Sequence, residues 1–238
     1  MNTLLFDIEN TPLLGNSWGT YQTDILRVVK DTELLCFAYK MNDQPIEVFS
    51  RRLFTERQLV KKLWKLFDEA DIIIGHNGDS FDIKMTNQYF IKYGLNPPSP
   101  YKSVDTKKMA KKSFRFAQNK LDYLGQFLFG EKKIATNMDL WFKCMEGDES
   151  ALIKMEKYNI QDVVLLEKVY MALRPWYTGH PNFNIYNGTS HKCPACGGGT
   201  QRRGFAFTRV SKYQRYQCQS CAHWSTGERV PLEDKVIK

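Results

Sequence analysis

The chain has 238 residues, 42% hydrophobic and 25% charged, with a formal net charge of +8. That suits one large domain, or one domain with a small appendage, able to bury a core. No apolar run approaches the roughly 18 residues of a membrane span, and no basic leader or cleavage signature precedes Asp7, so the expectation is a cytosolic protein.

The first element is a strand, Leu4-Leu5-Phe6-Asp7-Ile8-Glu9-Asn10, an apolar run closed by two acids. Successive strand side chains alternate faces, so Asp7 and Glu9 share one face and Ile8 takes the other. Asp31 and Glu33 repeat the spacing, but there the acids precede an apolar run. A polar loop over 11–21 follows, then strands over 33–39 and 46–50 joined by a hairpin at 41–45. Residues 55–69 carry a helical stripe of Leu59, Leu63, Leu66 and Phe67. Residues 71–75 make a short buried strand, and a helix over 82–93 is halted by Gly94 and Pro97-Pro98. Ser80 is the expected cap of that helix. A short strand at 103–105 and helices over 121–129, 138–145 and 149–173 complete this part. Strands first in a meander and then alternating with helices indicate an α/β fold, a mixed sheet flanked by helices. Arg174-Pro175-Trp176 ends the long helix. The expected division is a first domain over 1–177, a linker over 178–189 and a cysteine domain over 190–238.

Paired carboxylates at a strand end repel unless protons or cations neutralise them, and hard divalent ions do so well. Asp82 falls in the first turn of its helix, at the positive end. On the long helix Tyr158 and Asp162, at i and i+4, reach one spot. The three pieces Phe6-Asp7-Ile8-Glu9, His76-Asn77 through Phe81-Asp82, and Tyr158-x-x-x-Asp162 resemble, in order and spacing, the motifs of the DEDD 3′–5′ exonucleases. These are the DnaQ-like branch of the ribonuclease H-like superfamily, and the wording is closest to the exonuclease domains of family B DNA polymerases. The histidine branch needs His five residues before Asp162, where Lys157 stands; Tyr158 matches the tyrosine branch, DEDDy. The resemblance, over roughly 1–175, implies Asp7, Glu9, Asp82 and Asp162 as ligands of two Mg²⁺ or Mn²⁺ ions, with Tyr158 orienting the attacking water. It also places the loop after the first motif, with Thr11 and Trp18, near the terminal nucleotide. Asn77 either contacts that nucleotide or braces Asp82. Asp105 supports the site or the fold. Lys107, Lys108, Lys111, Lys112 and Arg115 either track a phosphate backbone or form a solvated helix face.

Two C-x-x-C pairs, Cys193/Cys196 and Cys218/Cys221, are 21 residues apart. In a cytosolic chain that pattern reads as one structural Zn²⁺ held by four thiolates rather than as disulfides. His191 and His223 are possible substitutes for one cysteine. The module looks like a zinc ribbon, with strands over 203–209 and 212–217 mixing aromatics and bases. From residue 180 onward there are nine Lys/Arg against three Asp/Glu. Arg203, Arg209, Lys212 and Arg215 are therefore expected nucleic-acid contacts, with protein docking as the alternative. The reading is a metal-dependent 3′–5′ exonuclease acting on single-stranded ends, DNA ahead of RNA. An RNA-trimming or structure-selective nuclease on the same fold, or a binding adaptor with an idle site, are its rivals.

Overall fold

The opening apolar run becomes β1 (Thr3–Asn10), the centre of the sheet, in a computed structural model describing residues 1–187 and 192–231. The stretch after it, expected as a loop, forms a small hairpin of β2 (Leu14–Asn16) and β3 (Arg27–Lys30). Val28 and Val29 of this hairpin are exposed, so it carries none of the in–out alternation that marks a strand in sequence. β4 (Leu34–Met41) pairs antiparallel with β1, and β5 (Glu47–Ser50) pairs antiparallel with β4. On the other side of β1 lie β6 (Ile72–Gly75) and β7 (Lys102–Asp105), both parallel. The mixed sheet therefore runs β5-β4-β1-β6-β7.

Alternation sorts the core into two faces. Leu4, Phe6 and Ile8 pack with Leu59, Leu63 and Phe67 of α1 (Glu56–Glu69) and with Tyr89 and Phe90 of α2 (Asp82–Lys92). α1 starts in a full capping box, with Thr55 accepting from the Gln58 N–H and Gln58 Oε1 accepting from the Thr55 N–H. On the opposite face Leu5, Ile72 and Ile74 meet α3 (Thr106–Ser113), α4 (Leu121–Phe129) and α6 (Glu149–Leu173). α5 (Met138–Glu146) closes this face at one end, packing Leu140 and Cys144 on Leu35 and Cys36. Because Leu5 points to the α6 side, so do Asp7 and Glu9.

One local expectation is corrected. The cap position of α2 is Phe81, with no side-chain cap bond, so Ser80 does not cap it. The basic run 107–112 is helical throughout, as its helix-face reading has it, because Asp105 caps α3 by accepting from the Lys107 and Lys108 N–H groups.

Beyond α6 a 3₁₀ turn (Arg174–Trp176) leads into the 178–189 stretch, which holds a short helix, α7 (Phe183–Asn187). Residues 188–191, including the alternative ligand His191, lie outside the described residues. The cysteine module forms a three-stranded antiparallel sheet of β8 (Thr200–Phe207), β9 (Lys212–Cys218) and β10 (Trp224–Val230). The third strand was not expected; Gly227 sits in a register break that interrupts its pattern. The module rests on the end of α6. His223 Nδ1 donates to the Pro175 carbonyl at 3.0 Å, and the Phe183 N–H donates to the Pro194 carbonyl at 2.7 Å. No described helix is long and apolar enough to cross a membrane.

Candidate active site

The acids that close β1 meet α6 across the sheet. One carboxylate oxygen each of Asp7, Glu9 and Asp162 lies within 4.8 Å of the others. Asp162 is buried, whereas Asp7 and Glu9 keep partial exposure at the mouth. Small partners across the β1–β4 ladder, Ala38 opposite Asp7 and Cys36 opposite Glu9, leave room on that face. A register break between Glu9 and Asn10 then turns the chain away, as bulges near active sites commonly do.

Asp82 stands beside this trio rather than within it. Its carboxylate accepts from its own N–H and from the Ile8 N–H between the two β1 acids, and its charge raises Asp7. The approach depends on Gly78, where an added Cβ would lie 3.3 Å from the Gly75 Cα and 3.9 Å from Asp82 Oδ2. Asn77, at φ +67°, makes the turn; its N–H donates to Asp105 Oδ1 and its Oδ1 accepts from Lys107 Nζ. Asp105 is thus occupied by three backbone N–H groups. His76, held neutral by burial with its pKa lowered to about 4, ties this turn to Asn119.

Packing four carboxylates together shows in their protonation. Burial first, and then the neighbouring acids, push Asp7 well above the usual carboxylate range. Burial with Asp162 raises Glu9 to about 8, and burial raises Asp82 to about 6. Asp162 is also raised by burial, against the pull of Lys133. Asp162 Oδ1 is buried with no hydrogen-bond partner. Such a donor set fits hard divalent cations, which take oxygen ligands and relieve the repulsion. The metal-free protein is expected to lose stability as pH rises from about 5 to 8. Over that span the folded chain keeps protons on Glu9 and Asp82 that the unfolded chain has released. Melting curves in chelator should show the decline, and Mn²⁺ at pH 8 should reverse it; a flat profile would contradict the clustering.

Tyr158 and Asp162 share one face of α6 as the i, i+4 spacing requires, and both meet the Lys133 ammonium. Burial and Asp162 raise the phenol above its ordinary pKa, so it is a neutral hydroxyl and not a base. Two neighbours were missed in the sequence. Asn159, fully buried, donates from Nδ2 to Asp7 Oδ2 at 2.7 Å and fixes that carboxylate. Lys133 forms an ion pair with Asp162 and lies 3.4 Å from the Tyr158 hydroxyl. A polar residue on a buried helix face marks Asn159 locally. Lys133 sits in an irregular stretch and carries no such mark.

Beside Glu9 opens a cavity of about 390 Å³, floored by Ile8 and Thr11 and walled by Phe81, Met85 and Trp141. Its size falls within the range of ligand pockets, roughly 300–1,000 Å³. Trp141 and Glu9 both line this cavity. Thr11 is buried, its hydroxyl accepting from the Glu33 N–H, while Trp18 is 80% exposed beyond β2 and does not line this cavity.

In the cysteine module all four thiols lie within 4.8 Å of one another, with Cys193–Cys221 at 3.7 Å and Cys196–Cys218 at 3.5 Å. A tetrahedron of roughly 2.3 Å Zn–S bonds has edges of about 3.8 Å, so the spacing is consistent with a zinc ribbon. Backbone N–H groups of Ser220 and Cys221 point at Cys218; they outweigh its burial and lower it to about 7. His223 is engaged with Pro175 instead. Arg203 and Arg209 are exposed on the β8 side; Lys212 covers the Phe205 ring and Arg215 the Trp224 ring.

No curated protein matches the chain. Among solved structures, the family B DNA polymerase from the hyperthermophilic archaeon Pyrobaculum calidifontis is similar, with a TM-score of 0.52 at 15% identity. The similarity covers 74% of this chain but 25% of the polymerase, so the chain spans about a quarter of that protein, and the likeness speaks for the fold alone. The family described as the RNase_H superfamily matches residues 4–174, the stretch that builds the mixed sheet and brings the acids together, and the chain belongs to that superfamily.

Proposed function

We propose that this chain is a divalent-metal-dependent 3′–5′ exonuclease of the DEDDy type, hydrolysing phosphodiester bonds at single-stranded ends, DNA ahead of RNA. The observation that carries this reading is the meeting of Asp7, Glu9 and Asp162, with Asp82 beside them and one buried Asp162 oxygen left without a partner. Membership of the RNase H superfamily supports nuclease chemistry in general.

In this reading Asp7, Glu9, Asp82 and Asp162 hold two Mg²⁺ or Mn²⁺ ions. When bound, such a pair activates water and stabilises the leaving oxygen of an in-line displacement. Tyr158, neutral and one turn from Asp162 on the same helix face, orients the attacking water. Asn159 keeps Asp7 turned into the site. Lys133 offers its ammonium to a phosphate oxygen once an ion replaces it at Asp162. The terminal base enters the cavity between Phe81 and Trp141, beside Thr11, while Trp18 and Asn77, outside its lining, remain candidate contacts with the rest of the strand. The residues 1–177 act as the catalytic unit and 190–238 as a Zn²⁺-bearing ribbon, joined through 178–189. Arg203, Arg209, Lys212 and Arg215 of the ribbon contact nucleic acid.

A ladder experiment tests the direction. With Mg²⁺, a 5′-labelled single strand should shorten progressively, and a 3′-labelled one should release labelled mononucleotide at once. A 3′-phosphate block should stop both. Internal cuts, or degradation that ignores the block, would replace the exonuclease with an endonuclease on the same fold. Parallel DNA and RNA strands read the sugar preference.

A further inference from the structure

Five aromatic rings of the first domain, from α4 to the 3₁₀ turn that precedes the ribbon, form one unbroken line. Tyr123 stacks on Phe127 at 6.0 Å, Phe127 meets Phe116 at 5.3 Å, Phe116 stacks on Phe114 at 5.0 Å, and Phe114 meets Trp176 at 5.7 Å. Tyr123, Phe114 and Phe116 are anchored against the core that α6 shares with the sheet. Phe127 and Trp176 are not; they are 62% and 67% exposed. A cluster serving only to cover the core would bury its outer rings.

The ends of the line are fixed by bonds. At one end Asp122, next to Tyr123, accepts the Lys133 N–H at 3.0 Å, and Lys133 pairs with Asp162. At the other, Trp176 follows Pro175, whose carbonyl receives His223 of the ribbon, and the Trp224 ring beside it lies under Arg215. The charge along the line has one sign. Residues 106–120 hold six Lys/Arg and no acid. Of these Lys111, Lys112 and Arg115, with Lys120, are exposed, and none has an ion-pair partner among the described residues.

We propose that this line is a track for single-stranded nucleic acid, carrying the strand from the ribbon across Trp176 and Phe127 to the site. Nucleobases stack on aromatic faces whatever their sequence, and the lysines and arginine beside the rings, free of ion pairs among the described residues, neutralise phosphates. The absence of any acid over 106–120 favours a polyanion over an apolar protein partner. The direction of travel rests on the exonuclease reading, since only that reading puts a 3′ end at Asp162; the binding track itself does not.

The test uses the full chain, with Ca²⁺ in place of Mg²⁺ to halt hydrolysis, and a fluorescent 20-residue oligodeoxythymidine. The Trp176→Ala/Phe127→Ala double variant removes two exposed rings, so the fold is spared. It should bind the 20-mer at least tenfold more weakly, from a stacking contribution of roughly fivefold or more per ring. Binding of a tetranucleotide, too short to leave the site, should stay unchanged, and Trp176→Tyr should restore most of the affinity that Trp176→Ala loses. Lys111→Glu/Lys112→Glu should flatten the salt dependence of 20-mer binding. Wild-type affinity in the double variant, or equal losses for the 20-mer and the tetranucleotide, would overturn the track. Loss of 20-mer binding in a protein that hydrolyses no strand with Mg²⁺ or Mn²⁺ would uphold the track and remove the exonuclease reading instead.

Discussion

Asp7→Asn is expected to cut Mg²⁺-dependent hydrolysis of a single-stranded oligonucleotide on the order of 10³-fold while raising the melting temperature of the metal-free protein. Two opposite effects follow from one carboxylate. As a ligand it helps place charge worth several kcal/mol at the transition state, and each 1.36 kcal/mol is about tenfold in rate. In the absence of metal it is a liability, because burial first, and then Asp82, Asp162 and Glu9, push its protonation upward. Asparagine keeps the shape and removes the like charge, at the cost of turning the Asn159 contact into an amide–amide pair. Asp82→Asn should behave similarly, though less in stability, since Asp82 also accepts two backbone N–H groups that an amide oxygen still serves. A variant that loses activity and also melts earlier would mean that the fold, not the chemistry, needs Asp7. Undiminished cleavage would refute the site.

Cys218→Ser is expected to release one Zn²⁺ per chain and to collapse the ribbon while leaving the five-stranded sheet folded. Among the described residues of this module, the buried set is little more than Cys193, Ala195, Cys218 and His223. So small an apolar content cannot hold a fold of this size, and a structural Zn²⁺ site contributes about 10–16 kcal/mol. Cys218 is the most exposed to this loss, since it takes the N–H groups of both Ser220 and Cys221. Amide resonances from residues 192–231 should lose dispersion, and those of α1 and β6 should stay. For hydrolysis the expectation is a KM for long strands raised at least tenfold with kcat nearly unchanged. An unchanged KM would assign the ribbon to a protein partner.

Much of this arrangement is legible in sequence because it is carried by short periods. The alternation of Leu4, Leu5, Phe6, Asp7, Ile8 and Glu9 already puts both acids on one face, and β1 does so. The i, i+4 relation of Tyr158 and Asp162 is a property of any helix and holds in α6. The two C-x-x-C knuckles announce their own clustering. What escaped is set by tertiary contact. Lys133 reaches Asp162 from an irregular stretch 29 residues away, and no local pattern points it there. The lysines of α3 admitted a helix face in sequence, but its start did not show; Asp105, read as a support for the site or fold, is the cap that sets it. The β2–β3 hairpin and β10 lack a buried face, so the hydrophobic alternation by which strands are recognised is missing from both.

The claim beneath all of this is that acids from β1, α2 and α6 grip a pair of hard cations. Anomalous diffraction from crystals equilibrated with Mn²⁺ and a 3′-terminal nucleotide measures that directly. The account predicts two manganese peaks about 3.5–4 Å apart, bounded by Asp7, Glu9, Asp82 and Asp162. Manganese found elsewhere, or a site left to Lys133 at saturating Mn²⁺, would contradict it.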